Sequence, residues 1–73
     1  SMKEIWITTP FITLGQALKY AGLLQSGGEI KLYLASNTIT VNQTPENRRG
    51  RKLYPGDVIH INQQIALKIG IKS

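Results

Sequence analysis

The hydrophobic residues of this chain change their spacing at about residue 38, and this change limits the possible folds more than any other feature. From residue 14 to residue 34, apolar positions recur at helical spacing; after residue 38, apolar and polar residues alternate with the period of two that is typical of strands. We therefore predict an α+β fold in which two short tandem helices pack on a small, mostly antiparallel sheet. The expected order of elements is about β-α-α-β-β-β.

Two capping boxes indicate where the helices begin. Residues 13–16 read Thr-Leu-Gly-Gln, so that Thr13 can accept the backbone N–H of Gln16 while the Gln16 side chain reaches back. Residues 26–29 read Ser-Gly-Gly-Glu and repeat that spacing, and Gly22 is expected to end the first helix. The positions predicted to face the core are Leu14, Ala17, Leu18, Ala21, Ile30, Tyr33 and Leu34.

The remaining segments are predicted to be strands and turns. Residues 54–57, Tyr-Pro-Gly-Asp, match a type II turn, and residues 43–47 form a polar connection in which Pro45 disfavours a regular central strand. The last segment alternates most cleanly, so one of its faces is expected to be buried, within this sheet or against another chain. The predicted strands are residues 4–9, 38–42, 58–61 and 65–72, with a short additional strand at 52–54.

Length and composition define the expected class of protein. Seventy-three residues fit one domain, which we expect to span residues 1–73. The sequence contains no cysteine, which excludes disulfides and thiolate zinc sites and favours a reducing compartment, so a cytoplasmic protein is expected. No secretory signal and no apolar run long enough to span a bilayer are present, so we expect a soluble protein without membrane contact.

The positive charge is concentrated in one short segment. Residues 1–47 carry three lysines and three glutamates and sum to zero, whereas residues 48–52 contribute +4 of the net +5. Clustered Lys and Arg side chains favour a polyanion, because their phosphate contacts release condensed counterions. The plainer alternative is a solvated loop that aids solubility.

Gly27 and Gly28 permit two interpretations. They are poor helix formers at the start of the second helix, so they can let a phosphate approach the exposed backbone N–H groups. Alternatively, they only supply a tight turn between the helices. The sequence favours neither.

Catalysis finds little support in the sequence, and we expect no enzyme, cofactor or metal. The only histidine, His60, alternates with isoleucines on a predicted strand, which indicates a structural or surface role. The acidic residues form no close pair, and no metal-ligand spacing occurs.

Among the tyrosines, Tyr20, Tyr33 and Tyr54 can stack on an exposed base, although core packing is predicted for Tyr33 and Tyr54.

The ordered set of motifs resembles the alpha-L RNA-binding domain, the family named after small-subunit ribosomal protein four. The similarity covers about residues 12–61. It is greatest to small free-standing bacterial members that combine a Thr-Leu-Gly-Gln helix start, a Ser-Gly-Gly turn and an Arg-Arg-Gly-Arg-Lys-Leu segment, as residues 13–16, 26–28 and 48–53 do here. The resemblance implies that the helical pair and the adjoining loop bind structured RNA.

The chain departs from the larger members of that family at both helix starts. Those members begin their helices with Arg-Leu-Asp and Ser-Arg, whereas residues 13–15 and 26–27 here read Thr-Leu-Gly and Ser-Gly. Two phosphate-binding arginines are therefore absent, and the basic segment has to supply most of the attraction. The predicted RNA-binding residues are Arg48, Arg49, Arg51, Lys52 and Lys31, with Lys19 and the turn of Ser26, Gly27 and Gly28 as further candidates.

These observations lead to one functional hypothesis and two alternatives. The chain is predicted to bind structured RNA, in particular rRNA or ribosomal particles during ribosome assembly, through phosphate contacts and shape. The first alternative is a protein-interaction adaptor whose basic segment meets an acidic protein surface. The second alternative is DNA binding.

Overall fold

The computed structural model describes residues 2–72 and contains two α-helices and seven strands within that range. A single 3-10 turn, Gly27–Glu29, leads directly into the second helix. The elements in chain order are β1 (Met2–Ile7), β2 (Ile12–Thr13), α1 (Leu14–Tyr20), α2 (Ile30–Ser36), β3 (Ile39–Val41), β4 (Thr44–Pro45), β5 (Lys52–Leu53), β6 (Val58–Ile61) and β7 (Ile65–Ile71).

Five strands form the main sheet in the order β1-β7-β6-β3-β4. The β1–β7 pair is parallel and places Ile5 opposite Ile69, whereas the other three pairs are antiparallel. Strands β2 and β5 form a separate two-stranded ribbon with Ile12 opposite Leu53. The α+β class and the mostly antiparallel sheet are confirmed. Because β7 lies between β1 and β6, its alternating residues pack within this chain's own sheet.

The core lies between one face of the main sheet and the two helices. The predicted helical core residues are buried, except for Tyr33, which is half-buried at the margin. On β7, Leu67 and Ile69 are buried, but Ile71 is more than half exposed because it lies at the end of the strand. The strand residues that fill the core are Ile5, Ile7, Ile39, Val41, Ile59, Ile61, Leu67 and Ile69.

Local signals in the sequence define both helix starts, as predicted. The Thr13 hydroxyl accepts the N–H of Gln16 at 3.3 Å, and the Gln16 side-chain oxygen accepts the N–H of Thr13 at 2.9 Å. At the second start, the Glu29 carboxylate accepts the N–H of Ser26 at 3.2 Å. Helix α1 ends before Gly22, whose φ of 80° lies in the left-handed region that glycine adopts without strain.

The polar connection predicted at residues 43–47 begins with a tight turn and a short edge strand. Asn42 and Gln43 have φ angles of 52° and 71°, and they form a tight turn that returns the chain as the short strand β4. Asn tolerates this left-handed conformation, and the N–H of Val58 donates a hydrogen bond to the side-chain oxygen of Asn42 at 3.0 Å. Pro45 is compatible with β4 because β4 is an edge strand.

Residues 54–57 form the predicted turn, but the burial predicted for Tyr54 was wrong. Gly56 has a φ of 98°, and the N–H of Asp57 donates to the carbonyl of Tyr54 at 2.9 Å. Leu53 on β5 is fully buried, so the alternation of the extended chain directs Tyr54 outward, where 49% of it is exposed.

The first strand is shifted from its predicted position, residues 4–9, to Met2–Ile7. Trp6 points away from the core and is 57% exposed, opposite Gly70 on β7. No helix within residues 2–72 has the length and apolar character needed to cross a membrane.

Candidate nucleic-acid interface

The basic loop, residues 48–52, is held against the start of helix α1 by backbone hydrogen bonds. The N–H of Leu14 donates to the carbonyl of Arg51 at 2.8 Å, and the N–H of Gly15 donates to the carbonyl of Arg49 at 3.0 Å. A Cβ at Gly15 would lie 3.0 Å from Ile30 Cδ1 and 3.5 Å from the Arg49 carbonyl oxygen. Gly15 thus allows α1, α2 and the basic loop to meet at one point, so the loop has a fixed position relative to the helices.

Glu46 pairs with two of the four cations in the basic loop. Its carboxylate lies 2.9 Å from Arg48 Nε and 2.8 Å from Arg51 Nη1; 6% of the Glu46 side chain is exposed, against 72% for Arg48 and 32% for Arg51. Hydrogen bonds from the side chains of Arg48 and then Arg51 lower the pKa of Glu46 to about 2. We call these three residues the Glu46 cluster, and their formal charges sum to only +1.

Arg49 lies between two open grooves and is the cation best placed for an external ligand. One groove, of about 640 Å³, is lined by Lys31, Leu34, Ala35, Asn47 and Arg49; we call it the α2 groove. The other, of about 400 Å³, runs between the helices and is lined by Thr13, Gly15, Gln16, Lys19, Gly27, Ile30, Arg49 and Gly50; we call it the interhelix groove.

Lys19, Lys31 and Arg49, the groove cations, are exposed and carry uncompensated charge. Both salt bridges within residues 2–72 are made by Glu46, so none of the groove cations has a carboxylate partner there. These cations come from α1, α2 and the basic loop, which are distant in the sequence. The fold therefore joins the two lysines to the charge run that the sequence analysis identified.

Lys52 points to a different place from the other cations of the basic loop. Its ammonium lies 4.9 Å from the centre of the Phe11 ring, within the range of a cation–π interaction. It lines neither of the two grooves. The four predicted loop cations therefore have three environments: the Glu46 cluster, the grooves and the Phe11 ring.

Ser26, Gly27 and Gly28 are exposed, and Gly27 borders the interhelix groove. A Cβ at Gly27 would meet no atom within 4 Å, so close packing does not require this glycine. The Glu29 carboxylate occupies the N–H groups of Gln25 and Ser26, which leaves those two donors unavailable to a phosphate. A phosphate-binding role for this turn stays a prediction.

His60 is half-buried on the face of β6 opposite the buried Ile59 and Ile61. It lies across from Thr40 on one neighbouring strand and Ala66 on the other. Within the part of the chain that the structure describes, no three His, Asp or Glu side chains come together as metal ligands would.

Sequence reasoning missed Glu46 and Asn47, which shape the interface as much as the arginines do. Glu46 entered only the charge total, although its spacing of two and five residues from Arg48 and Arg51 could have suggested a local ion pair. Asn47 lines the α2 groove between Glu46 and the basic loop. No pattern in the sequence indicated that role.

The helical pair, the small sheet and the basic loop together form an α+β domain with one positively charged surface. The model of the S4 domain family matches residues 5–69, and the chain therefore belongs to the S4 domain family. The match extends beyond the 12–61 region over which the motifs resembled the family.

A curated relative comes from Bacillus subtilis (strain 168) and bears the name "Probable ribosome maturation protein RlbA". It is 56% identical to this chain over 57 residues, which are 78% of this chain and 80% of the relative. The similarity therefore covers most of both proteins.

Proposed function

We propose that this domain binds structured rRNA through phosphate contacts at the two grooves and acts in ribosome maturation as a binding module without catalytic activity. The observation that carries the proposal is the position of the groove cations, Lys19, Lys31 and Arg49, around two adjoining depressions. The name of the Bacillus subtilis relative supports the biological setting. Such a role would place the domain in the cytoplasm.

The surface of the interhelix groove suits a phosphodiester backbone. Two of its exposed lining residues, Gly27 and Gly50, have no side chain, so a bulky ligand can come close to the main chain there. Lys19 and Arg49 also line it and supply positive charge. An arginine can grip two phosphate oxygens with its planar fork, which makes Arg49 the expected centre of recognition.

The α2 groove continues this surface on the other side of Arg49. Lys31 supplies its second cation, while Leu34 is buried and Ala35 is short, so neither fills the groove. Two consecutive phosphate sites on either side of one arginine would follow a bent RNA backbone. Contacts of this kind fix position and shape and do not read base sequence.

Salt titration tests the proposal directly. Fluorescence anisotropy would measure the affinity for folded fragments of bacterial rRNA at several salt concentrations. If the three groove cations contact phosphates, the plot of log affinity against log salt should have a slope of about −2 to −3. Binding that does not depend on salt, or that a matched DNA duplex competes for equally well, would contradict the proposal.

Sedimentation tests the maturation role. The tagged domain should co-sediment with immature ribosomal particles in cell extracts, and mild nuclease treatment or high salt should release it, because RNA phosphates hold it. Retention after complete digestion of the RNA would indicate a direct protein complex and would contradict the rRNA assignment.

A further inference from the structure

An exposed aromatic pair lies beside the basic loop and outside both grooves. Phe11 and Tyr54 have ring centres 5.8 Å apart with an angle of 50° between their planes. They retain 36% and 49% of their surface in contact with solvent. Single exposed rings are common on protein surfaces, but two adjoining ones form a contiguous apolar patch, and such patches mark contact surfaces.

The ribbon of β2 and β5 explains why these rings are exposed together. Its buried pair, Ile12 and Leu53, lies on the core side. Phe11 directly precedes Ile12, and Tyr54 directly follows Leu53. Both rings therefore point outward and meet above the ribbon. Lys52 is on the same outer side, because it precedes Leu53 by one residue. The chain thus builds a platform of two rings and one ammonium, which we call the aromatic platform.

We propose that the aromatic platform stacks an unpaired RNA base, with Lys52 contacting the adjoining phosphate. This inference rests on the proposed function, since it adds a subsite to the same RNA-binding surface. The Lys52 ammonium lies 4.9 Å from the centre of the Phe11 ring, and its position in the basic loop links the platform to Arg49 through the backbone. A backbone that follows the grooves can therefore continue to the platform.

Charge and ring chemistry both favour a nucleobase as the occupant. Bases stack on aromatic side chains through their π faces whatever their identity, and a neighbouring cation neutralises the attached phosphate. Tyr54 is the more exposed ring and is the expected stacking surface, whereas Phe11 already has Lys52 over one face. A paired base has its faces covered within the helix, so the platform selects a loop, bulge or strand end.

The probe is an RNA hairpin with one 2-aminopurine in its loop. A blunt RNA duplex of equal length, which has no unpaired base, serves as the comparison. Stacking quenches 2-aminopurine fluorescence, so the unmodified protein should quench the hairpin signal on binding and should bind the hairpin more tightly than the duplex. Binding of the hairpin without quenching would overturn the platform and leave the proposed function standing. Failure to bind either RNA would overturn both.

Substitutions separate stacking from charge. Tyr54→Leu should weaken hairpin binding by between about 5-fold and 100-fold and abolish quenching, while the salt slope stays unchanged because no cation is lost. Phe11→Leu should have a smaller effect in the same direction, and Tyr54→Phe should behave like the unmodified protein. Tyr54→Leu binding the hairpin as tightly as the unmodified protein would overturn the platform.

Tyr20 supplies the matched control, because it is a similarly exposed tyrosine on α1 that makes no aromatic or cation–π contact within residues 2–72. Tyr20→Leu should leave both affinity and quenching unchanged. If Tyr20→Leu lost as much hairpin affinity and quenching as Tyr54→Leu, the loss would not be specific to the aromatic platform, and the proposal would be overturned. Thermal unfolding of each variant checks that the fold is retained.

Discussion

Arg48 and Arg49 are neighbours in the sequence but lie in different electrostatic environments. Arg48 belongs to the Glu46 cluster, where its guanidinium bonds a largely buried carboxylate, whereas Arg49 lines both grooves and has no carboxylate partner within residues 2–72. The comparison teaches that a run of positive residues can have two roles. One arginine is paired with the carboxylate of Glu46, and the other leaves its charge unpaired beside the two grooves.

The comparison extends to the regions that these arginines represent. The Glu46 cluster is local, because its members lie within six residues of one another, and it gives the basic loop a defined shape. The groove cations come from three separate elements and depend on the whole fold. We therefore expect changes in the groove cations to affect RNA affinity first, and changes in the Glu46 cluster to affect stability first.

The largest effect is expected for Lys31→Ala/Arg49→Ala. A hydrogen bond to a charged group contributes about 1.5 kcal/mol or more, so the loss of two phosphate contacts should weaken binding by about 100-fold. Anisotropy titration at constant salt measures this. The matched control is Lys68→Ala/Lys72→Ala, which removes two exposed lysines outside both grooves and should change affinity by about threefold or less. Equal losses of RNA affinity in the two variants would mean that net charge, and not the position of the groove cations, determines binding.

A smaller effect, on stability, is expected for Glu46→Gln. The neutral amide cannot form the ion pairs with Arg48 and Arg51, and because Arg48 is exposed to solvent the free energy of unfolding should fall by only about 0.5–1 kcal/mol in urea denaturation. Glu4→Gln is the control, since Glu4 is exposed on β1 and makes neither salt bridge. It should change stability by less than about 0.5 kcal/mol. Unchanged stability in Glu46→Gln would show that the cluster does not hold the loop.

The smallest effect concerns acid stability. The pKa of Glu46 is lowered from 4.5 to about 2, so the unfolded chain binds this proton more readily than the folded one. The stabilisation is fully present above pH 4.5 and is lost as the pH falls toward 2. Unfolding measurements across that window should show a weaker pH dependence in Glu46→Gln than in the unmodified protein. The same acid dependence in both proteins would contradict the assigned pKa.

Much of the fold could be predicted because its signals are local. Each capping box fixed a helix start within a few residues, and period-two alternation identified the core strands. The turn at Asn42 and Gln43 was missed because residue 42 was placed at the end of the predicted strand 38–42, whereas it begins the turn. Tyr54 was assigned to the core because burial of aromatics is a general tendency, whereas the strand alternation here directs it outward.

The candidate site could be predicted only in part. The sequence identified the charge run, and the resemblance suggested Lys31 and Lys19, but the grooves that join these lysines to Arg49 exist only in the folded chain. The pairing of Arg48 and Arg51 with Glu46 depends on backbone geometry between residues 46 and 51, where the N–H of Arg51 donates to the Arg48 carbonyl at 3.2 Å. Charge counting cannot show which arginines are paired with a carboxylate.

The most direct test of the central claim compares Arg48→Gln with Arg49→Gln. The two variants have the same net charge and differ only in which neighbouring arginine is lost, and in Arg48→Gln the Glu46 carboxylate still pairs with Arg51. Salt titrations with one folded rRNA fragment measure the slope for each. Arg49→Gln should make the slope less steep by about 0.7 to 0.9, and Arg48→Gln by less than about half of that. An equal or larger change in Arg48→Gln would contradict the account.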